Sequence, residues 1–223
     1  MQWSAIVEWT VIVLAAVGVL VAVVVSSRRA ERARREALQQ AGLAMGFSFD
    51  AEGDLDQMRA LGNLPLYGHG HSRQVKNVLG GRAASGDVRI FDYQYSTGGD
   101  KESQTWKQTV AIYPGGGQGL PDFVLSPENL FHKIGQLLGY RDIDFDSSPV
   151  FSARYLLRGP DDAAIRAVFP SETRAYFEQE QGWSVEVQAG SVGIYRSGKR
   201  IKPDELPTFV ETTQAVLRAI ARR

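Results

Sequence analysis

Cysteine is absent from this chain of 223 residues, and histidine nearly so: His69, His71 and His132 are the three. The first absence removes disulfides, thiolate nucleophiles, Cys-ligated zinc and iron–sulfur clusters. The second narrows acid–base and metal chemistry to what three imidazoles and the carboxylates can do. An excess of either charge is also missing, since 25 basic residues balance 25 acidic ones. Without a basic surplus there is no electrostatic reason to expect a long polyanion as partner, so nucleic-acid binding is disfavoured. Before Arg28 there is no basic residue at all, and Glu8 is the only charge.

What the amino-terminal segment does contain is apolar. From Ile6 to Val25 only Glu8 and Thr10 are polar, and Val11 to Val25 has no polar side chain. A helix of that length spans roughly 30 Å, the thickness of a bilayer's hydrocarbon core. Backbone groups in lipid must pair within their own segment, so the run is expected to be helical despite its valines. Trp3 and Trp9 stand at its amino end, where amphipathic rings favour the headgroup level. Trp3, Trp9, Val11, Leu14, Val17, Leu20 and Val25 are therefore the expected membrane anchor. After it come Arg28, Arg29, Arg32, Arg34 and Arg35 against two glutamates, a net +3 over residues 26–36. The positive-inside rule puts that cluster and everything downstream in the cytoplasm, with the amino terminus outside. A cleaved signal peptide would need a basic start and a small-residue cleavage site. The start carries no base, and the exit reads Val25-Ser26-Ser27-Arg28-Arg29.

Residues 28–41 read as a continuing helix. Ala30, Ala33, Ala37 and Ala41 fall on one side, Arg28, Arg32 and Arg35 on another, and Glu31 is placed to pair with Arg35 at i,i+4. Arg28, Arg29, Arg32 and Arg35 are candidate contacts to anionic headgroups, each contributing about 1 kcal/mol. An ordinary stop-transfer flank explains the same charges. Gly42 and Gly46 are expected to end the helix. The chain thus divides into an anchor (1–27), a basic juxtamembrane helix (28–46) and a soluble region (47–223), with room for two subdomains parting near 140–150.

The soluble region is weakly patterned up to residue 85, with a short helix at Leu55–Leu61 and an extended stretch at Leu64-Pro65-Leu66-Tyr67. Val88 to Tyr95 then alternates, with Val88, Ile90 and Asp92 to one side and Phe91, Tyr93 and Tyr95 to the other. With Gln104 to Tyr113 it forms a predicted hairpin, and Trp183 to Val187 with Val192 to Arg196 forms a second. Three further segments lead from a strand through a Pro and acidic residues into a helix: Ser126-Pro127-Glu128, Pro160-Asp161-Asp162 and Pro203-Asp204-Glu205. Proline costs nothing in a first helical turn, and acids favour the positive helix end. Hairpins with helices between them indicate α+β: antiparallel hairpins packed with about three helices on one face.

Few motifs carry chemistry. Gly115-Gly116-Gly117-Gln118-Gly119 would need a Lys and a Ser or Thr opening a helix to cradle phosphate, and Leu120-Pro121 follows instead. Asp142-Ile143-Asp144-Phe145-Asp146-Ser147 begins like a calcium loop. It lacks the glycine and the bidentate glutamate that such a loop requires, and reads better as an exposed strand edge with Ile143 and Phe145 inward. His69-Gly70-His71 has no acidic residue close in sequence to complete a metal site. The aromatics Tyr93, Tyr95, Trp106 and Tyr113 read as cross-strand packing rather than a recognition platform.

Several runs together resemble a bacterial protein family with no assigned activity. They are Ile90-Phe91-Asp92-Tyr93-Gln94-Tyr95, Gln108-Thr109-Val110-Ala111, Asp142-Ile143-Asp144-Phe145, Phe151-Ser152-Ala153-Arg154-Tyr155-Leu156-Leu157-Arg158-Gly159, and the hairpin from Gly182-Trp183 to Arg200. Members also carry a segment like Arg73 to Leu79 and an N-terminal membrane span. The similarity covers most of residues 64–222 and implies a bacterial inner membrane but no activity.

The expectation is a single-pass, membrane-tethered binding or scaffolding module of the cytoplasmic face. Its partners would be the lipid bilayer and another membrane or cytoplasmic protein, with no nucleic acid and no cofactor. Two alternatives stand beside it. One is a membrane-associated hydrolase using His69, His71 or His132 with Asp residues, and the other a lipid or envelope sensor acting through the Arg arm. A deep pocket holding two of the histidines and a carboxylate would favour the hydrolase.

Overall fold

A computed structural model describes residues 2–99, 102–128 and 140–221, with side chains from residue 17 onward. Its longest element is α1 (Gln2–Ala44), one unbroken helix of 43 residues. Residues 17–30 are exposed all round, including Val17 (51%), Leu20 (64%) and Val25 (41%). Trp3, Trp9, Val11 and Leu14 lie outside the residues whose side chains are described. Among the described residues no helix is long and apolar enough to cross a membrane.

From Glu31 onward the helix docks. Its inward stripe is Glu31, Arg34, Leu38, Ala41 and Met45, and Leu38 is 2% exposed. Of the alanines on one side of this helix, Ala30 and Ala33 are exposed and Ala37 and Ala41 half-buried. Gly42 does not end the helix but lies in its last turn, where a Cβ would land on Leu79. Gly46 ends it. It adopts φ +75°, and the Phe47 amide bonds back to the Gly42 carbonyl at 2.9 Å.

The rest is built on one sheet. Its strands are β1 (Ser48–Glu52), β2 (His71–Ala83), β3 (Gly86–Thr97), β4 (Gln104–Tyr113), β5 (Phe123–Pro127), β6 (Tyr155–Arg158), β7 (Ser184–Gln188) and β8 (Ser191–Tyr195). They run in the order β1-β2-β3-β4-β8-β7-β5-β6, every neighbouring pair antiparallel. The two predicted hairpins are β3/β4 and β7/β8, and the fold is α+β. Strands β5 and β6, from either side of residues 140–150, are neighbours in this single sheet.

Among the described residues five α-helices follow α1, where about three were expected. They are α2 (Leu55–Leu61), α3 (Pro149–Arg154), α4 (Asp162–Val168), α5 (Ser171–Gln179) and α6 (Leu206–Ala221). The acidic starts work as anticipated at α4, where the Asp161 carboxylate accepts from the Ala164 amide at 3.0 Å. The helix expected after Ser126-Pro127-Glu128 falls on residues 129–139, outside the described residues. Residues 65–68 are a 3-10 turn rather than an extended stretch.

Both faces of the sheet are covered, not one. Alternation along β3 sends Val88 and Ile90 into a large core with α1, α3, α4, α5 and α6, where the rings of Phe151, Phe169 and Phe177 pack tilted against one another. The opposite side chains, Phe91, Tyr93 and Tyr95, join Val110, Ile112 and Tyr195 in a second core. That core is closed by α2 and the 3-10 turn through Met58, Leu64, Leu66 and Tyr67. The hairpin aromatics are structural, Tyr93, Tyr95 and Tyr113 each being at most 2% exposed. Residues 140–146 do not form a strand, yet Ile143 and Phe145 are buried as expected. Asp142 acts as a clamp there, its Oδ1 accepting from the Leu157 amide at 2.8 Å.

Candidate functional site

The β7/β8 hairpin opens at Ser184 and Tyr195, which pair across it. One step beyond that pair, Trp183 and Arg196 become cross-strand neighbours on the face of the larger core. The Arg196 guanidinium lies over the Trp183 ring with Cζ 4.4 Å from its centroid, a cation–π arrangement. Phe209, from the first turns of α6, supports the same indole at 6.1 Å. Gly182 before the tryptophan (φ +83°) and Gly198 after the arginine (φ +70°) turn the chain in a way side-chain-bearing residues resist.

These residues wall a cleft of about 410 Å³ between residues 180–183, residues 196–201 and the start of α6. Lys199, Arg200 and Ile201 line it from one side, Thr208, Phe209 and Thr212 from the other. A second cavity of about 610 Å³ adjoins it, sharing Arg196 and Lys199 and extending towards Arg154 and Tyr155. The carboxylates here are Glu180 and Glu205 in the first and Glu128 in the second. Glu205 is committed to helix capping, accepting from the Lys202 amide at 2.9 Å.

Two donors in this cleft are unmet. Trp183 is 3% exposed, and its indole Nε1 has no hydrogen-bond partner among the described residues. The Arg196 Nε is also buried and unpartnered among them. A buried donor left unsatisfied costs about 1–3 kcal/mol. Both donors belong to residues that line one cleft, and an unmet buried donor calls for an acceptor.

Beside the cleft, α1 is locked to the sheet. Arg34 forks onto Asp92 of β3, Nε to Oδ2 and Nη2 to Oδ1, both at 2.8 Å. Its Nη1 donates to the Ile201 carbonyl at 2.6 Å. Asp92 also accepts from the Asn77 amide at 2.9 Å and the Thr109 hydroxyl at 3.0 Å. Around this node Glu31 pairs with Arg200 at 2.9 Å, and Arg35 with Glu52 at 2.7 Å. The hydrogen bond from Arg200 holds the Glu31 carboxyl below its usual range. Glu31 is thus not paired with Arg35 as expected, because the helix turns both towards the domain. Of the proposed headgroup arginines, Arg28, Arg29 and Arg32 are exposed and Arg35 is half-buried against β1.

No protein-family model and no curated protein matches the chain. A solved structure does: the crystal structure of the mycobacterial trehalose monomycolate transport factor A, TtfA, superposes with a TM-score of 0.57. The match covers 85% of this chain and 97% of that one at 11% identity. At that identity the likeness is one of fold.

His69 and His71, the two histidines among the described residues, have different surroundings. His69 is buried on the second core, edge-on to Tyr95 at 6.0 Å, with its Nε2 unpartnered among the described residues. Burial, aided by the nearby Arg73 charge, lowers its pKa to about 4. His71 is exposed and meets the Ser72 hydroxyl and the Gly98 carbonyl, both at 3.1 Å. His132 lies outside the described residues. Among the described residues no cluster of His, Asp and Glu could hold a metal ion.

Sequence reasoning missed three features here: the Arg34–Asp92 lock, the Trp183–Arg196 wall, and Glu186. Glu186 is fully buried on the second core, accepting from the Leu66 amide at 2.9 Å and the Tyr195 hydroxyl at 2.7 Å. Burial pushes its carboxyl up to about 7.

Proposed function

We propose that the chain is a membrane-tethered binding module of the cytoplasmic face, in which α1 is both anchor and handle. The observation that carries this reading is the continuity of α1. The helix that begins in the apolar run also supplies Leu38 to the core and Arg34 to the Asp92 node. A domain on a flexible linker samples every orientation, whereas a domain fused to its anchor through a locked helix has one height and one tilt. The exposed apolar residues Val17 to Val25 support the same reading, since a helix bare of contacts and polar groups over that length calls for lipid or protein around it. The one-sided arginine flank supports the orientation, and the resemblance to membrane-anchored bacterial proteins agrees with both.

Membranes from a bacterial host expressing the full chain should retain it through high-salt and alkaline carbonate washes. A periplasm-dependent reporter fused to the carboxyl end should stay inactive. Release of intact protein by carbonate, or an active periplasmic reporter, rejects the tether or its orientation respectively.

A further inference from the structure

The geometry points to the cleft beside Trp183 as a binding site for a phosphate-bearing ligand, and to the headgroup of an anionic lipid as its source. The identity of the source rests on the tethered reading above. The chemistry of the site does not.

The argument starts from unmet donors. Trp183 Nε1 and Arg196 Nε are buried and unpartnered among the described residues, and both residues line one cleft. Neither Arg196 nor Lys199 has a carboxylate within ion-pair distance among the described residues, although each borders both cavities. Arg200 is taken by Glu31, and Arg154 by the Glu178 carbonyl. Among the described residues Arg196 and Lys199 are thus left without a carboxylate partner beside the buried Trp183 indole, and the carboxylates of the two cavities are Glu180 and Glu128, because Glu205 is tied to its own helix start. An oxyanion accepts from such a set. Phosphate suits it because its several oxygens can take a guanidinium edge and an indole donor together. Trp183, Phe209 and Ile201 provide apolar surface for whatever the phosphate carries, and a cleft of about 410 Å³ is of small-ligand size.

Position selects the lipid. Arg200 and Ile201, on the cleft's edge, are bonded to Glu31 and Arg34 of α1. Those residues lie six and nine positions beyond Val25, the last apolar residue of the run. At 1.5 Å per residue the cleft edge therefore sits roughly 9–14 Å along the helix from the end of the anchor, close to the headgroup layer. Arg28, Arg29 and Arg32, exposed between the two, would raise the local concentration of anionic headgroups.

The test uses the full chain in phosphatidylcholine nanodiscs, titrated calorimetrically with sn-glycerol 3-phosphate and, separately, with short-chain phosphatidic acid. Saturable binding is expected, weakened at least about tenfold by Arg196→Gln and severalfold by Lys199→Gln. Trp183→Phe, which keeps an aromatic ring and loses the donor, should weaken binding without lowering the unfolding midpoint. Arg82→Gln, an exposed charge in β2, should change nothing. Tighter binding of the phosphatidic acid identifies a lipid headgroup, whereas equal binding identifies a soluble phosphate ester as the natural source. No saturation in either arm, or equal losses in the Arg196 and Arg82 variants, overturns the site. Carbonate release of the chain from native membranes would remove the tether while leaving the titration result standing, so the two failures are distinguishable.

Discussion

Arg34→Met should lower the unfolding free energy of the domain by about 3–5 kcal/mol, the usual cost of stranding one member of a buried ion pair. The two side chains are 12% and 8% exposed. Without the guanidinium, the Asp92 carboxylate keeps only the Asn77 and Thr109 donors in a site largely shut off from water. The Ile201 carbonyl loses its Arg34 donor as well. Replacing both partners (Arg34→Met with Asp92→Leu) should recover most of the loss, because no uncompensated charge remains. Urea unfolding of the detergent-solubilised full chain, followed by tryptophan fluorescence, measures both. A single variant within about 1 kcal/mol of wild type, the size of a surface salt bridge, would mean that the node does not hold α1 in place. The rigid-handle reading would then lose its mechanical basis. By contrast Glu31–Arg200 and Arg35–Glu52 are substantially exposed, and removing either should cost little.

How legible this molecule was depended on the range of each interaction. The β3/β4 and β7/β8 hairpins and α2 were readable because each is written in local alternation or local helix spacing. Strand β2 was not, although it is the longest strand in the sheet. Its register slips twice, and Ser72 (φ 52°) and Asn77 (φ 53°) take left-handed conformations near those slips. Each bulge inserts a residue and flips the period-2 pattern, so no steady alternation survives for the eye to find. The second bulge has a purpose the pattern could not show, since Asn77 donates to Asp92. The Arg34–Asp92 node joins residues 58 apart, and Glu31–Arg200 joins residues 169 apart. In the sequence Arg34 is one of five arginines in a flank that topology alone would explain. The cleft lay closer to hand: extending the β7/β8 register by one step from Ser184↔Tyr195 sets Trp183 opposite Arg196. What remained hidden was burial, because an unmet donor is visible only when its surroundings are known.

Glu186 and His69 should give the domain two opposed pH dependences that nearly cancel in the wild type. Glu186 has its pKa raised by burial from 4.5 to about 7. The unfolded chain ionises this group first, so its contribution is fully present below pH 4.5 and is lost as pH rises towards 7. His69 has its pKa lowered by burial from 6.5 to about 4. The unfolded chain protonates that group first, so its contribution is fully present above pH 6.5 and is lost as pH falls towards 4. Each swing is on the order of 3 kcal/mol, and between pH 4.5 and 6.5 the two slopes have opposite signs. Glu186→Gln, which can still accept from the Leu66 amide, should therefore unmask a stability that climbs from pH 4 to 6.5. His69→Phe, which keeps a flat ring against Tyr95, should unmask one that falls from pH 4.5 to 7. Taking each profile as a difference from wild type cancels every other titrating group. If both differences are flat across this window, neither group carries the altered affinity for protons that its burial implies. The second core must then admit water at Glu186 and at His69. If only one is flat, the other slope should appear in the wild type itself, and the two sites within the second core would differ in how well they exclude solvent.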